Sequence, residues 1–563
     1  MGGVQLVWFK RDLRVHDHAA LAAAAARGPV LALYIVEPGL WRQPDAAAQH
    51  WGFIRESLLE LDAALRATGQ PHAALHVAVG DAVAVLAVLH RHLGLAALHA
   101  HEETGNGWTF ARDRAVRRWA RQHGVAMHEV PAFGVVRGLR DRDLWLAARE
   151  RLMHAPQAPW PPPRLAFAPW PWAAPCAIGP LAWWLGEDAA LRPGPWPDAA
   201  ALGLDPWEPP QRQRGGRTRA EVTLHGFLQR RAARYRGGIS SPLSAPEACS
   251  RLSPYLAYGV LSLREVVQAT EARLQALAEA RAPEHAEAAR LRAGLRAFAS
   301  RLYWHCHFIQ KLESEPELEW RNLHRGYDGL RETEWDETRF AALREGRTGW
   351  PMVDACVAML RAHGWLNFRM RAMLVSVAAY PLWLHWREVG LWLARLFLDY
   401  EPGIHWPQVQ MQSGTTGINA TRVYNPIKQA LDHDPHGTFV RAWCPALRRV
   451  PDAWLFEPWR MPPGVQQACG VRVGADWPEP PVELEAALRT AKARLHAWRQ
   501  RPQMRAEALA VAKRHGSRRG MPGALARDPS TGQEHHGSAS RAPRRCPDHA
   551  AHLSAPRQLG FDW

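Results

Sequence analysis

Cysteine is scarce in this chain, and no two cysteines stand close together. Seven are spread over 563 residues, at Cys176, Cys249, Cys306, Cys356, Cys444, Cys469 and Cys546. An odd number with no CxxC pair argues against a disulfide framework or a structural zinc, so no metal is expected and a reducing compartment suits the chain. Apolar runs of membrane-spanning length are missing, as is a charged leader with a hydrophobic segment ahead of the strand-like VQLVWF. Neither a membrane span nor an export signal is expected, and the expected location is the cytoplasm.

Tryptophan and positive charge are what the chain has in excess. Its 28 tryptophans point to stacking as well as packing, and its formal charge of +16 to a polyanion, a phosphate-bearing cofactor or an acidic surface. Residues 501–563 hold eleven Lys and Arg against five Asp and Glu, which is +6 of the total and leaves +10 on the rest. The basic character therefore belongs to the folded part too.

A chain of this length exceeds one core and divides. Residues 1–135 alternate strand-like and helix-like runs, from VQLVWF, AALAAAAARG and PVLALYIVEP to AALHVAVG, DAVAVLAVLHRHLG and LAALHAHEE, the pattern of a parallel α/β sheet. Residues 136–215, with WPPPRLAFAPWPWAAPCAIGP and RPGPWP, are too proline-rich for long helices or central strands and read as a connection wrapped over the surface. Residues 216–500 read as an all-helical domain. Residues 501–563 have few large apolar residues and read as a basic, disordered tail, whose closing QLGFDW is apolar enough to dock.

Within the helical part, the stretch from Arg347 to Trp443 carries most of the candidate chemistry. Met352, Cys356 and Met359, and then Trp383, Trp386, Val389, Leu393 and Leu396, recur three and four apart, the spacing of packed amphipathic helices. Arg369 and Arg371 lie on an otherwise apolar helix, and Asp399 and Glu401 end the next. Buried charge is costly unless paired, so an Arg371–Asp399 ion pair beside a ligand is one reading and a solvated helix face is the other. Upstream, Cys249-Ser250-Arg251-Leu252-Ser253, with Pro254 suited to a first helical turn, offers the amides and hydroxyls that a diphosphate needs.

Three blocks, RTGWPMVDACVAMLRAHGWLNFRMRAML, WLHWREVGLWLARLFLDYEP and QSGTTGINATRVYNPIKQ, resemble the flavin-binding core of the photolyase and cryptochrome family. SRLSPYLAYG at Ser250–Gly259 and the N-terminal WFKRDLRVHDHAAL stand in the expected order, so the resemblance covers about residues 4–460. It implies a Rossmann-like α/β antenna domain followed by a larger all-helical FAD-binding domain. FAD is the implied cofactor, with a second antenna chromophore of unknown identity. Trp108 and Thr109 stand where folate-binding members carry an Asn-Glu pair, so no folate site is carried over, and no cysteine grouping suits the iron–sulfur cluster of one branch of the family.

The resemblance also assigns residues. Tyr235, Ser250, Leu252 and Ser253 match the phosphate side of the FAD site, Phe298 stands where a tryptophan usually faces the flavin, and Asp399, with its partner Arg371, and Glu401 match paired acids near the cofactor. His405, or its neighbour Trp406, faces the reactive flavin nitrogen, where a histidine could hold or shuttle a proton near neutral pH; a plain core histidine is the competing reading. Trp304 matches a tryptophan of the pocket for a flipped lesion. Its partner position reads Met411, Arg301 replaces a glutamate, His305 an arginine, and Phe368 the asparagine before Arg369. Arg369, Arg422 and the run Asn425 to Gln429, with Lys428 inside it, match contacts to DNA phosphate. For electron transfer Trp386 matches the middle member of a tryptophan chain and Trp335 the outer one, while Val409 fills the flavin-proximal position and Trp406 is the substitute.

Two functions follow. One is light-dependent repair of pyrimidine dimers in damaged DNA by electron transfer from reduced FAD, carried out by a monomer. The other is a blue-light photoreceptor of cryptochrome type without repair activity, favoured by the altered pocket and the basic tail. A DNA-binding helical protein without flavin would leave the signature blocks unexplained.

Overall fold

The computed structural model describes residues 3–173, 180–279, 286–419 and 422–516. Five short apolar strands, β1 (Gln5–Phe9), β2 (Val30–Val36), β3 (Leu75–Val79), β4 (Ala97–His101) and β5 (Ala126–Val130), pair in parallel in the order β5-β4-β1-β2-β3. Parallel neighbours need crossovers, supplied by α1 (Ala19–Ala25), α2 (Ala48–Arg66), α3 (Ala82–Leu93) and α4 (Gly107–Gln122). Because side chains alternate along a strand, β1 serves two cores. Leu6 and Trp8 join Leu86, Leu89 and Val116 on one face, whereas Val7 and Phe9 join Tyr258, Phe298 and Leu302 of the helical part on the other. One face of the sheet is thus the floor on which the helical part sits.

The proline-rich connection corrects the sequence reading. It contains helix α5 (Trp145–Met153) and adds two strands to the sheet, β6 (Leu181–Leu185) parallel to β3 and β7 (Leu191–Pro195) antiparallel to β6. The run LAWWL is apolar enough for a half-buried strand, and the prolines are tolerated because β7 is the outermost strand.

The helices of the helical part include α6 (Arg217–Gln229), the 29-residue α7 (Ala286–Ser314), α8 (Pro351–His363), α9 (Phe368–Ala379), α10 (Trp386–Leu396), α11 (Pro402–Ser413) and α12 (Pro426–His433). The TGWPMVDA block is explained by the start of α8. Asp354 accepts hydrogen bonds from Thr348 N (2.9 Å), Thr348 Oγ1 (2.7 Å) and Gly349 N (3.0 Å), which folds the chain back over the helix start. Gly349 has φ +74°, and a Cβ there would lie 2.7 Å from the Pro478 carbonyl.

A second correction concerns the tail. Residues Gln503–His515 form a helix, α13, with Met504 and Val511 in the core and His515 Nε2 2.7 Å from Glu315 Oε2. A few apolar residues at helical spacing order this piece, and residues 517–563, including QLGFDW, lie outside the described residues. Among the described residues no helix is long and apolar enough to cross a membrane.

Candidate functional site

A cavity of about 330 Å³ lies between α7, α9, α11 and the segments 235–257 and 397–401. The helices face it through residues at three- and four-residue spacing: Phe298, Arg301, Leu302, His305 and Phe308 on α7, and Ile404, His405, Gln408, Val409 and Gln412 on α11. Gly403 lets the two helices pass closely, since a Cβ there would lie 2.8 Å from the Cα of Ile309. Half-buried Trp304 lines the cavity too, as do Phe368 and Arg369 at the start of α9.

At one wall Arg371 grips Asp399 in a two-bond fork, Nη1 to Oδ1 at 2.9 Å and Nη2 to Oδ2 at 3.0 Å. Its Nε donates to the Leu366 carbonyl (2.6 Å), and its guanidinium carbon lies 4.1 Å from the centre of the Phe397 ring. Burial works to raise the Asp399 pKa, but Arg371, Ser253 and Arg251 together bring it below the ordinary carboxylate value. Arg251 stacks on Trp365 at 3.8 Å, with burial pulling its pKa down to about 10. Arg231 donates to the carbonyls of Cys249 (2.6 Å) and Ser250 (3.1 Å), fixing the turn that presents Ser250 and Ser253. Tyr235 also lines the cavity and hydrogen-bonds Arg301, while burial holds its phenol protonated.

The N-terminal domain reaches this wall. Arg11 Nη2 donates to the Tyr400 carbonyl (2.8 Å) and lies 3.2 Å from Glu401 Oε2, the Tyr400 hydroxyl donates to Asp45 Oδ2 (2.7 Å), and His50 Nε2 and Gln49 Nε2 reach the carbonyls of Phe397 (3.0 Å) and Arg395 (2.6 Å). Glu401 thus pairs with an arginine from the other domain, and burial still raises its pKa. Tyr400 separates the main cavity from a smaller one of about 90 Å³, lined among others by Glu37, Trp41, Asn106, Arg112 and Tyr258. Glu37 bonds Arg112 through Oε2 (2.7 Å), its Oε1 has no partner, and burial pushes its pKa up to about 7.

His405 lines the cavity, but the neutral-pH proton shuttle is corrected. Its Nε2 donates to the Gly390 carbonyl (2.9 Å), and burial pulls its pKa from 6.5 down to about 4, leaving a neutral ring. Trp406 turns away from the cavity into the core, where its ring meets that of Trp386 at 5.9 Å and 72°. Trp335 does not continue this contact, because its ring packs on Phe340 at 4.9 Å.

Other residues singled out in the sequence lie elsewhere. Met411 is buried off the cavity, because the helical turn that brings Gln408 and Gln412 to the wall carries it to another side; it is corrected as a pocket residue. Leu252 is buried behind the turn, its carbonyl accepting from Leu256 N (3.0 Å), so only its neighbours reach the cavity. Arg422, Lys428 and Gln429 do not line it: the Arg422 carbonyl accepts from Ser376 Oγ (3.2 Å), Lys428 is exposed and 3.2 Å from Asp432, and Gln429 is buried on α12. Sequence reading missed Arg11, Asn367, Gln408 and Gln412. The last two were reachable, since they continue the helical face of His405 and Val409.

Comparison with known proteins agrees with this architecture. A model described as the FAD binding domain of DNA photolyase matches residues 298–497, and one described as DNA photolyase matches residues 5–137. Cryptochrome-1 of Arabidopsis thaliana is 30% identical over 519 residues, covering 88% of this chain and 70% of the relative. The deoxyribodipyrimidine photo-lyase of Vibrio cholerae is 29% identical, covering 82% and 94%. The crystal structure of a bacterial class III photolyase from Agrobacterium tumefaciens superposes with a TM-score of 0.70 at 25% identity, covering 89% of this chain and 98% of that one. With a parallel-sheet domain, a helical domain that encloses this cavity and these relatives, the chain belongs to the photolyase and cryptochrome family of FAD-binding proteins.

Proposed function

We propose that the protein repairs pyrimidine dimers in damaged DNA with light, using FAD held in the main cavity. The observation that carries this reading is that one cavity joins a wall of hydroxyls and a buried ion pair, Ser250, Ser253, Arg371 and Asp399, to a wall with the aromatic and cationic groups Trp304, Arg301 and Arg369. The donor set suits FAD: hydroxyls and arginines for the diphosphate, and unpartnered buried atoms, His305 Nδ1 and the Gln412 carboxamide, for a polar ring system. Reduced FAD, when bound, supplies the photoexcited one-electron donor.

The chain's own residues bind, orient and exclude water. Ser250, Ser253 and Arg251 hold phosphate oxygens, the Arg371–Asp399 fork sets the shape of the wall, and neutral His405 adds no charge beside the ring. Trp304 stacks a base flipped from the duplex. Arg301, oriented by Tyr235, offers positive charge to a reduced lesion. Arg369 contacts phosphate from the rim, with Arg422 and exposed Lys428 farther out. Trp406 and Trp386 form a two-ring electron path, which Trp335 does not extend by ring contact. The smaller cavity, with its open Glu37 oxygen, is where part of a second chromophore would sit. The protein acts as a cytoplasmic monomer in this reading.

The second reading, a photoreceptor, is favoured by the burial of Met411 away from the cavity, so that position 411 adds no group to the wall that holds Trp304. Illumination of FAD-reduced protein with oligonucleotides carrying either a cyclobutane dimer or a (6-4) photoproduct separates the two. Repair is expected for at least one lesion, and Trp304→Ala should lose about 1–3 kcal/mol of lesion binding while keeping FAD. Repair of neither lesion refutes the proposal in favour of the photoreceptor.

A further inference from the structure

Gln412 is the buried side chain of the cavity wall whose hydrogen-bonding capacity is least used. It is the penultimate residue of α11, 2% exposed, and neither its Nε2 nor its Oε1 has a partner. Buried amides are rarely left this way, because taking them from water without new bonds is costly. The helix itself is not the cause. Gln410, two residues earlier and facing the core, is saturated: its Nε2 donates to the carbonyls of Leu318 (2.7 Å) and Arg321 (2.8 Å), and its Oε1 accepts from Leu323 N (2.6 Å). Other open polar atoms share the cavity with it, Gln408 Oε1, His305 Nδ1 and Asn367 Oδ1 also being unpartnered. Asn367 spends its Nδ2 on the carbonyls of Ile239 (3.1 Å) and Ser240 (2.9 Å), so its open oxygen is a fixed acceptor.

A primary carboxamide offers one donor and one acceptor side by side in a plane, the complement of a ring N–H next to a ring carbonyl. We propose that Gln412 binds a cyclic imide, a ring N–H flanked by two carbonyls, through two parallel hydrogen bonds, Nε2–H to a ring carbonyl and the ring N–H to Oε1. The inference rests on the proposed function, which brings two such rings to this cavity, the pyrimidine edge of the isoalloxazine and a thymine-derived base. The pairing is the same in both cases.

Methylating the imide nitrogen removes the ring donor and blocks the pairing, so the ligand itself carries the test. In one arm, FAD and 3-methyl-FAD are bound to wild-type apoprotein and to Gln412→Leu, followed by flavin fluorescence. In the other, FAD-loaded proteins bind in the dark to a thymine-dimer oligonucleotide and to its N3-methylated counterpart. Methylation should weaken wild-type binding about tenfold in one arm, roughly the worth of a hydrogen bond in a dry site, and should not weaken Gln412→Leu further. The arm that responds names the ring. No methylation effect on the wild type in either arm overturns the proposal, as does an equal effect on the variant, or an effect of Gln412 on FAD binding that ignores methylation and so belongs to the adenine. Gln412→Met, similar in shape, replaces the leucine variant if that one fails to fold. A flavin-arm response without dimer repair would sink the repair reading alone.

Discussion

Replacing His405 with asparagine tests the electrostatics of the cavity directly. His405 is 8% exposed, and burial holds its pKa at about 4 against 6.5 for an unburied ring. As the pH falls below 6.5 the unfolded chain binds a proton that the folded protein refuses until near pH 4. Stability is therefore complete above pH 6.5 and is lost between 6.5 and 4. Linkage between these two values gives a loss of about 2 kcal/mol at pH 5 relative to pH 8. Other buried groups also titrate. Glu37, Glu319 and Asp354, each raised by burial to about 7, take up protons in the folded state and act in the opposite sense. They contribute equally to both proteins, so the difference between wild type and His405→Asn isolates the ring. Urea unfolding at pH 8, 6.5, 5.5 and 5 should show the wild type losing about 2 kcal/mol more than the variant by pH 5. A difference that stays constant from pH 8 to pH 5 refutes the reasoning, for it would mean that the ring titrates normally in the fold.

Further outcomes are expected. Purified protein should release FAD on denaturation, and Asp399→Ala should weaken FAD retention more than Ser253→Ala does, at a cost of about 3 kcal/mol in stability. That is the low end for a broken buried pair, because Arg371 keeps the Leu366 carbonyl and the Phe397 ring; equal retention by both variants, read by flavin absorbance after gel filtration, counts against it. Truncation after Gly516 removes seven arginines and four acids and should flatten the salt dependence of DNA binding while sparing lesion affinity. Truncation after Gln500 also removes α13 and should lower the melting temperature, since Met504 and Val511 are buried in the core; equal melting temperatures for the two would show that α13 does not hold the fold.

The parts of the fold written in local pattern were legible in the sequence. Strands β1 to β5 are apolar runs between helix-like segments, and Arg371 and Asp399 stood out as charges in apolar surroundings. What escaped depends on tertiary position. The prolines of LRPGP speak against a strand unless it is known to lie at an edge, and QMRAEALAVAKRH is diluted by the tail composition around it. The state of His405 and the open carboxamide of Gln412 are consequences of burial, which no residue type announces. A glutamine on the core side of α11 is saturated and one on the cavity side is not, yet in the sequence they differ only by their place on the helical wheel.

The segment 397–401 supplies Asp399 to the main cavity, but much of what holds it comes from the first fifty residues of the chain. Arg11, Asp45, Gln49 and His50 bond it at the Tyr400 and Phe397 carbonyls, the Tyr400 hydroxyl, the Glu401 carboxylate and the adjacent Arg395. The flavin pocket is therefore shared property. A helical half expressed alone would keep its core of tryptophans and leucines but would lose the struts that set its acidic wall. The sheet domain serves as scaffolding for the neighbouring cavity whether or not it ever gathers light.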